Sequence, residues 1–253
     1  ASSKPYTPKQ GILGSLGFTT AESAILKKDL RGLTRRKEMM VWIAVPLGIS
    51  VISLFSGSTA LASATSTVDR LAMFWGPLMG LYMFAFYLAL TGIGQEGSAF
   101  LNLLIIPLKE KEVAKAKLST ALIPAVCGLI VIMALIQVII PLRLEAFIAL
   151  AVTLFAALFE CSLVGLAIGS RFPDFAEVPR ARFVDQKGVW LGMAVIAGSV
   201  GITFLPLFLY AYPFLVKIPL LVAPIIAATV GVLVCYVCYR DSLNSLNKLT
   251  TRI

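Results

Sequence analysis

The sequence predicts an all-α, polytopic membrane protein with six transmembrane helices. Of its 253 residues, 58% are hydrophobic, whereas soluble domains contain about 45–50% apolar residues. The apolar residues form six blocks that are separated by charged stretches, and the mean hydropathy is +0.91. A helix needs roughly 20 apolar residues to cross the hydrocarbon core, and barrel strands alternate over about 10 residues. The blocks are too long and too uniformly apolar for barrel strands, so we expect helices.

The six blocks define the spans and divide the chain into three parts. The predicted spans are residues 41–56, 71–93, 118–140, 146–168, 189–211 and 214–239. We expect a cytoplasmic N-terminal segment over residues 1–40, a six-span transmembrane domain over 41–239 and a cytoplasmic tail over 240–253.

Positive charges in the connectors predict the orientation. The N-terminal segment, the tail and the connectors after the second and fourth spans carry 19 of the 22 Lys and Arg residues. By the positive-inside rule this side is cytoplasmic, so both termini are cytoplasmic in a multi-pass protein of the cell (plasma) membrane. These cations face anionic lipid headgroups, which accounts for the net charge of +9. They are spread among loops without an aromatic platform, so nucleic acid is not an expected partner.

The composition argues against an enzyme. The chain contains no His, which is the commonest general base and metal ligand. Cys235 and Cys238 form a C-x-x-C, but this spacing falls near the end of an apolar block. We interpret these cysteines as small packing residues, and we expect no catalytic residue, metal or cofactor in this chain.

The N-terminal segment contains a predicted amphipathic helix. Thr19 and Glu22 have the spacing of a capping box, and Leu26, Leu30 and Leu33 follow on one helical face. Because the segment runs into an apolar block, we expect the helix to lie in the interface with its Leu stripe toward lipid. The alternative is an ordinary helix that packs on a cytoplasmic partner.

An apolar stretch follows the second span. Residues 98–107 are too short to cross a bilayer, so on the cytoplasmic side they lie in the interface or dock on another protein. Glu96 precedes the stretch, where a carboxylate complements a helix N-terminus, and Pro107 ends it.

The order of these features resembles the membrane permease subunit of type-2 ABC exporters, from about residue 24 onward. The matching features are the basic segment Lys28–Arg36, Gln95-Glu96-Gly97 with its apolar stretch, Pro107, Lys117, Gly169, Phe172-Pro173 and Pro179. The resemblance implies that the N-terminal helix is an elbow helix, in which Lys28, Asp29, Arg31, Arg35 and Arg36 are the relevant positions. It also implies a coupling helix that docks on an ATP-binding subunit through Glu96, Gly97, Phe100, Leu101, Leu104 and Pro107.

The resemblance further implies partners for this chain. Two six-span halves surround one pathway in that family, so a second permease half, identical or homologous, is expected. The sequence has no phosphate loop of the form G-x-x-x-x-G-K-[ST], so ATP and Mg²⁺ are expected in a separate ATP-binding cassette ATPase subunit. The basic N-terminal segment is similar to the start of a second half, which would suit a chain that begins with Ala.

Two strongly polar side chains fall within predicted spans. Glu160 lies deep in the fourth span, where a charge costs about 2.5–3.5 kcal/mol on insertion scales. It is either a residue of the pathway or switch, or a helix–helix hydrogen-bonding residue. Gln137 lies nearer the outer end of the third span. Gly165 and Gly169 form a G-x-x-x-G pair, which favours close helix packing.

Three functions compete with a permease. A membrane scaffold or assembly subunit would have no ATPase partner and would tolerate Glu160→Gln. An intramembrane enzyme would need an acid–base pair that Glu160 alone does not supply. A secondary transporter usually has more polar residues within its spans and broken helices at the midplane.

Overall fold

The computed structural model describes residues 11–35, 48, 52, 71, 74–97, 109–175, 183–211, 219–220 and 222–251. Seven α-helices lie within these residues, together with a short 3-10 turn at Gly94–Glu96. The helices are α1 (Gly11–Ser15), α2 (Thr20–Arg35), α3 (Trp75–Thr91), α4 (Glu110–Ile139), α5 (Leu144–Arg171), α6 (Gln186–Ala211) and α7 (Val222–Thr251). The prediction of an all-helical chain is confirmed for the described residues.

Four of these helices are long and apolar enough to cross a membrane. They are α4, α5, α6 and α7, and α3 is a shorter apolar helix of 17 residues. These five correspond to the predicted spans from the second to the sixth. The predicted first span, 41–56, lies outside the described residues except for Gly48 and Ile52.

Two helices extend well beyond their predicted spans. Helix α4 begins at Glu110 rather than near residue 118, because the run of Glu, Lys and Ala before the apolar block is itself helical. Helix α7 continues to Thr251, so residues 240–251, predicted as a tail, prolong the last helix. The lengths of apolar blocks define what fits into a bilayer, and they do not define where a helix ends.

The capping box at the start of α2 is confirmed. The Thr19 backbone N–H donates to the Glu22 carboxylate at 2.8 Å, and the Glu22 backbone N–H donates to the Thr19 hydroxyl at 3.2 Å. These two bonds satisfy amide groups that a helix N-terminus would otherwise leave without a partner.

Helix α5 lies at the centre of the bundle. In the most apolar stretch of α5, 61% of residues are buried, compared with 17–28% in the other three long helices. Its Gly165 and Gly169 lie against the backbone of α3, where a Cβ at Gly169 would collide with the Leu90 carbonyl. The pair therefore permits the close helix approach that its spacing predicts.

A second apolar core lies where α3 ends and α4 begins. It unites residues from five helices and is called here the end core: Leu33, Leu88, Ala89, Ile93, Ala114, Ala121, Leu166 and Leu246. Leu246 belongs to the extension of α7, so this extension packs on the bundle. The end core places α2 and α7 next to the turn that follows α3.

Candidate functional site

The site is built around the turn that follows α3. The 3-10 turn Gly94–Glu96 is closed by the Gly97 N–H, which donates to the Gly94 carbonyl at 3.1 Å. Gly97 has a φ of 55°, a backbone conformation that glycine adopts without steric cost. Gly94 lies directly against the Phe183 carbonyl, and a Cβ there would collide with it. The turn is therefore fixed between α3 and the residues that precede α6, and it holds Glu96 at the edge of the end core.

Glu96 is one member of an ion cluster with Lys28, Asp29 and Lys117. The Lys117 ammonium donates to Asp29 Oδ2 at 2.8 Å and to Glu96 Oε1 at 2.5 Å, and its side chain is only 3% exposed. Lys28 donates to both Glu96 oxygens at 2.5 and 2.6 Å. The ion cluster thus ties α2, the turn after α3 and the first part of α4 to one another.

The charges of the ion cluster favour an ionised Glu96. Burial alone would raise the pKa of this carboxyl, but the Lys117 and Lys28 ammonium groups outweigh burial and lower the pKa below its ordinary value. Two cations and two carboxylates then balance one another, with Lys117 buried and Lys28 exposed to solvent. Removal of one partner would leave the opposite charge buried and uncompensated.

A second ionic contact holds the N-terminal end of α2 to α4. The Lys115 ammonium donates to Glu22 at 3.0 Å and to the Gly17 carbonyl at 2.7 Å, and it lies 4.8 Å from the centre of the Phe18 ring. Lys115 therefore binds α2 in its first turn, at Glu22, and Lys117 binds it past its middle, at Asp29.

These contacts correct the predicted orientation of α2. The Leu stripe was expected to face lipid, but Leu26 is 0% exposed and Leu33 is 7% exposed, with Leu30 packed on the end core. Because Glu22 and Asp29 bind lysines of α4, the apolar face between them turns toward the protein. The outward face of α2 carries Lys27, Lys28 and Arg31 instead.

The predicted coupling and elbow residues are placed in part. Glu96 and Gly97 form the turn, while Phe100, Leu101, Leu104 and Pro107 lie outside the described residues. Lys28 and Asp29 join the ion cluster, whereas Arg31 is exposed on α2. Arg35 is the last residue of α2, and Arg36 lies outside the described residues.

Sequence reasoning missed the role of the lysines at positions 115 and 117. Both were counted as loop charges, with Lys117 at the start of the third span. The available signal was their position just before an apolar block on a helix, two residues apart, where long side chains reach across to neighbouring helices.

Glu160 forms a second polar site, inside the bundle. Its side chain is 0% exposed, and Oε1 accepts a hydrogen bond from the Thr203 hydroxyl of α6 at 2.5 Å. Its other oxygen, Oε2, has no hydrogen-bond partner among the residues described. Gly231 of α7 comes so close that a Cβ there would lie 3.3 Å from Oε1. Glu160 therefore stands where α5, α6 and α7 meet.

Gln137 is not a buried polar group of the bundle. The side chain is exposed near the end of α4, and its Nε2 donates to the Leu142 carbonyl in the turn before α5 at 3.3 Å. It therefore connects a helix end to the following turn. In the part of the chain that the structure describes, no group of three or more His, Cys, Asp or Glu residues is placed to hold a metal ion.

These features define a polytopic α-helical membrane protein, with long apolar helices around a buried central helix and ionic contacts at one end of the bundle. Residues 10–239 match the model of a family described as "Membrane protein of 12 TMs", and the chain belongs to this family. No curated protein and no solved structure matches the chain.

Proposed function

We propose that this chain is the transmembrane permease component of an ATP-driven ABC exporter. It forms half of the translocation pathway and couples to a separate ATP-binding subunit that hydrolyses ATP with Mg²⁺. The chain itself catalyses no covalent chemistry in this proposal, and its basic end is cytoplasmic, with both termini on that side.

The ion cluster is the single observation that carries the proposal. Lys117 is 3% exposed and binds Asp29 of α2 and Glu96 of the turn, so ion pairs connect three segments at this end of the bundle. The apolar stretch 98–107 follows directly after this turn. A partner that binds this stretch and moves would displace Glu96. The displacement would be transmitted to α2 and α4 through Lys117.

The family description is compatible with the expected two halves. Six spans are predicted for this chain, and the family is described as having 12 transmembrane segments. A second, identical or homologous set of six spans would complete the pathway. The number of transmembrane segments does not distinguish a transporter from a membrane scaffold. The ATPase partner is therefore the feature that distinguishes the proposal.

The test is a gentle-detergent pulldown of the tagged chain, with bound proteins identified by mass spectrometry. We expect an ATP-binding cassette subunit to copurify and to be lost from Leu104→Asp, which places a charge in the apolar stretch. Leu144→Asp is the matched control, because Leu144 is 72% exposed at the opposite end of the bundle. The control is expected to retain the ATPase.

Two results would contradict the proposal. A preparation without an ATPase would favour the membrane scaffold or assembly subunit, which needs no motor. An ATPase that is retained by Leu104→Asp and lost from Leu144→Asp would place the docking surface at the other end of the bundle.

A further inference from the structure

We propose that α7 is a rigid link through which the end core controls the helix junction at Glu160. This inference goes beyond the proposed function, because it concerns coupling within this chain and does not depend on an ATPase. It assigns a positioning role to the extension of α7, residues 240–251, which the sequence suggested was only a tail.

The continuity of α7 makes it suitable as a link. It runs from Val222 to Thr251 without interruption, 30 residues that span about 45 Å at 1.5 Å per residue. After Pro224, in its first turn, it contains no proline. Helices α4 and α6 carry Pro124 and Pro206 in their interiors, where proline removes a hydrogen bond and permits bending.

One end of the link is fixed in the end core. Leu246 is 3% exposed and packs there with residues of α2, α3 and α4, and Ser242, one turn earlier, is fully buried. Arg240 and Asn244 lie on the exposed side of the same stretch. The extension is therefore amphipathic, and its apolar face lies against the end core, to which α2, α3, α4 and α5 also contribute residues.

The middle of the link is fixed at Glu160. A Cβ at Gly231 would lie 3.0 Å from the Ala156 Cβ and 3.3 Å from Glu160 Oε1, so α7 has little freedom to shift toward α5 at this point. Gly231 precedes Leu246 by 15 residues, about 22 Å along the helix. A tilt of α7 in the end core must therefore change its contact with α5, because a closely packed contact cannot absorb the movement.

Cys235 provides a native reporter of this contact. It lies one turn after Gly231 and lines a groove of about 470 Å³ between α5 and α7, together with Ala156 and Phe159. Cys235 is partly exposed, and separation of α5 from α7 would widen this groove and make the thiol more accessible to a small uncharged reagent. Cys127 of α4 is exposed and lies outside the groove, so it serves as an internal reference.

The experiment measures the rate at which N-ethylmaleimide labels Cys235 in the detergent-solubilised full chain, relative to Cys127, by peptide mass spectrometry. Gly231→Ala first validates the reporter, since its methyl group pushes α7 away from Ala156. Leu246→Ala is the test, and we expect it to raise the relative rate by about threefold or more. Leu246→Val is the milder variant, to be used if the alanine variant does not fold.

Two matched controls separate coupling from general loosening. Asn244→Ala changes an exposed residue of the same extension, and Leu26→Ala removes a fully buried side chain of α2 that does not belong to α7. Leu26→Ala should lower the melting temperature without changing Cys235 labelling. The proposal is overturned if Leu246 variants label like the wild type, if Leu26→Ala labels as fast as Leu246→Ala, or if Gly231→Ala leaves the rate unchanged.

Discussion

Two carboxylates with little or no solvent exposure, Glu96 and Glu160, are held in opposite ways. Glu96 lies at one end of the bundle and binds two lysines, one of which is almost fully buried. Glu160 lies inside the bundle, where one of its oxygens accepts a hydrogen bond from the Thr203 hydroxyl. The ion pairs of Glu96 thus lie at the end of the bundle, where side chains from a helix, a turn and a second helix converge.

The interior of the bundle depends on close packing instead. Gly165 and Gly169 let α5 approach the backbone of α3, and Gly231 lets α7 approach Glu160. The comparison teaches that different forces position the end of the bundle and its interior. Charge pairs should determine how α2, the turn and α4 sit together, and small residues should determine how α3, α5 and α7 pack.

The largest expected effect comes from Lys117→Met, which keeps much of the side-chain length and removes the charge. Glu96 loses its buried partner and Asp29 loses its ammonium donor, so we expect a loss of about 3–5 kcal/mol in the free energy of unfolding. Denaturant titration in detergent measures it. Lys28→Met is the control, because Lys28 is 53% exposed and its pair should contribute about 1 kcal/mol or less. Equal losses of stability for the two variants would contradict the expectation that the buried Lys117 contributes more than the exposed Lys28.

The next largest effect should be the change in stability with pH that the ion cluster causes. Since the pKa of Glu96 is lower in the folded state, its contribution to stability is present above the ordinary glutamate value of 4.5. This contribution is lost as the pH falls below that value through the folded-state pKa. We expect the gap in melting temperature between the wild type and Glu96→Gln to be wide at pH 7 and to narrow below pH 4.5. A gap that stays constant with pH would be inconsistent with ionic compensation.

Packing inside the bundle should respond to an added methyl group. Gly169→Ala places a Cβ on the Leu90 carbonyl and should cost about 1–3 kcal/mol, because two backbones must separate. Gly198→Ala is the matched control in α6, where nothing lies within 4 Å of the added Cβ, and it should stabilise the helix by up to about 1 kcal/mol. Thermal unfolding of both variants measures the difference. If Gly169→Ala were as stable as the wild type, α5 would not approach the backbone of α3 closely.

Glu160→Gln should have the smallest effect on stability, within about 1 kcal/mol, because its amide oxygen can still accept the Thr203 hydroxyl. The same measurement on Thr203→Val shows what the hydrogen bond itself contributes. A loss for Glu160→Gln as large as that of Lys117→Met would mean that Glu160 has a cationic partner, and the contrast between the two carboxylates would disappear.

Five of the six predicted spans have a corresponding helix because a long apolar block leaves the backbone few alternatives in lipid. The helix ends were predicted less well, since Glu110–Lys117 and Arg240–Thr251 are charged or polar and yet continue α4 and α7. Hydropathy describes the medium around a segment, whereas a helix end depends on backbone hydrogen bonds and packing. The predicted orientation of α2 was wrong for a related reason, because a Leu stripe can pack against protein as well as against lipid.

The sequence singled out Glu96 before a short apolar stretch, and the resemblance added Lys28, Asp29 and Lys117, but neither predicted that these side chains bind one another. The identities of its partners are set by tertiary structure, since Lys28 and Lys117 are 68 and 21 residues away along the chain. Lys117 lies directly before the apolar block that starts at residue 118, but this position does not identify the carboxylates that it binds. Glu160 was recognisable as unusual, but the role of Thr203 as its donor depends on how α5 and α6 pack.

A double-mutant cycle on Glu96 and Lys117 tests most directly whether buried ion pairs hold this end of the bundle together. The free energy of unfolding is measured for the wild type, Glu96→Gln, Lys117→Met and the double variant. We expect the double variant to lose about 1.5–3 kcal/mol less than the sum of the two single losses, because the second substitution removes a charge that the first left unpaired. Additive losses would contradict the account, since they would mean that the two side chains do not stabilise each other.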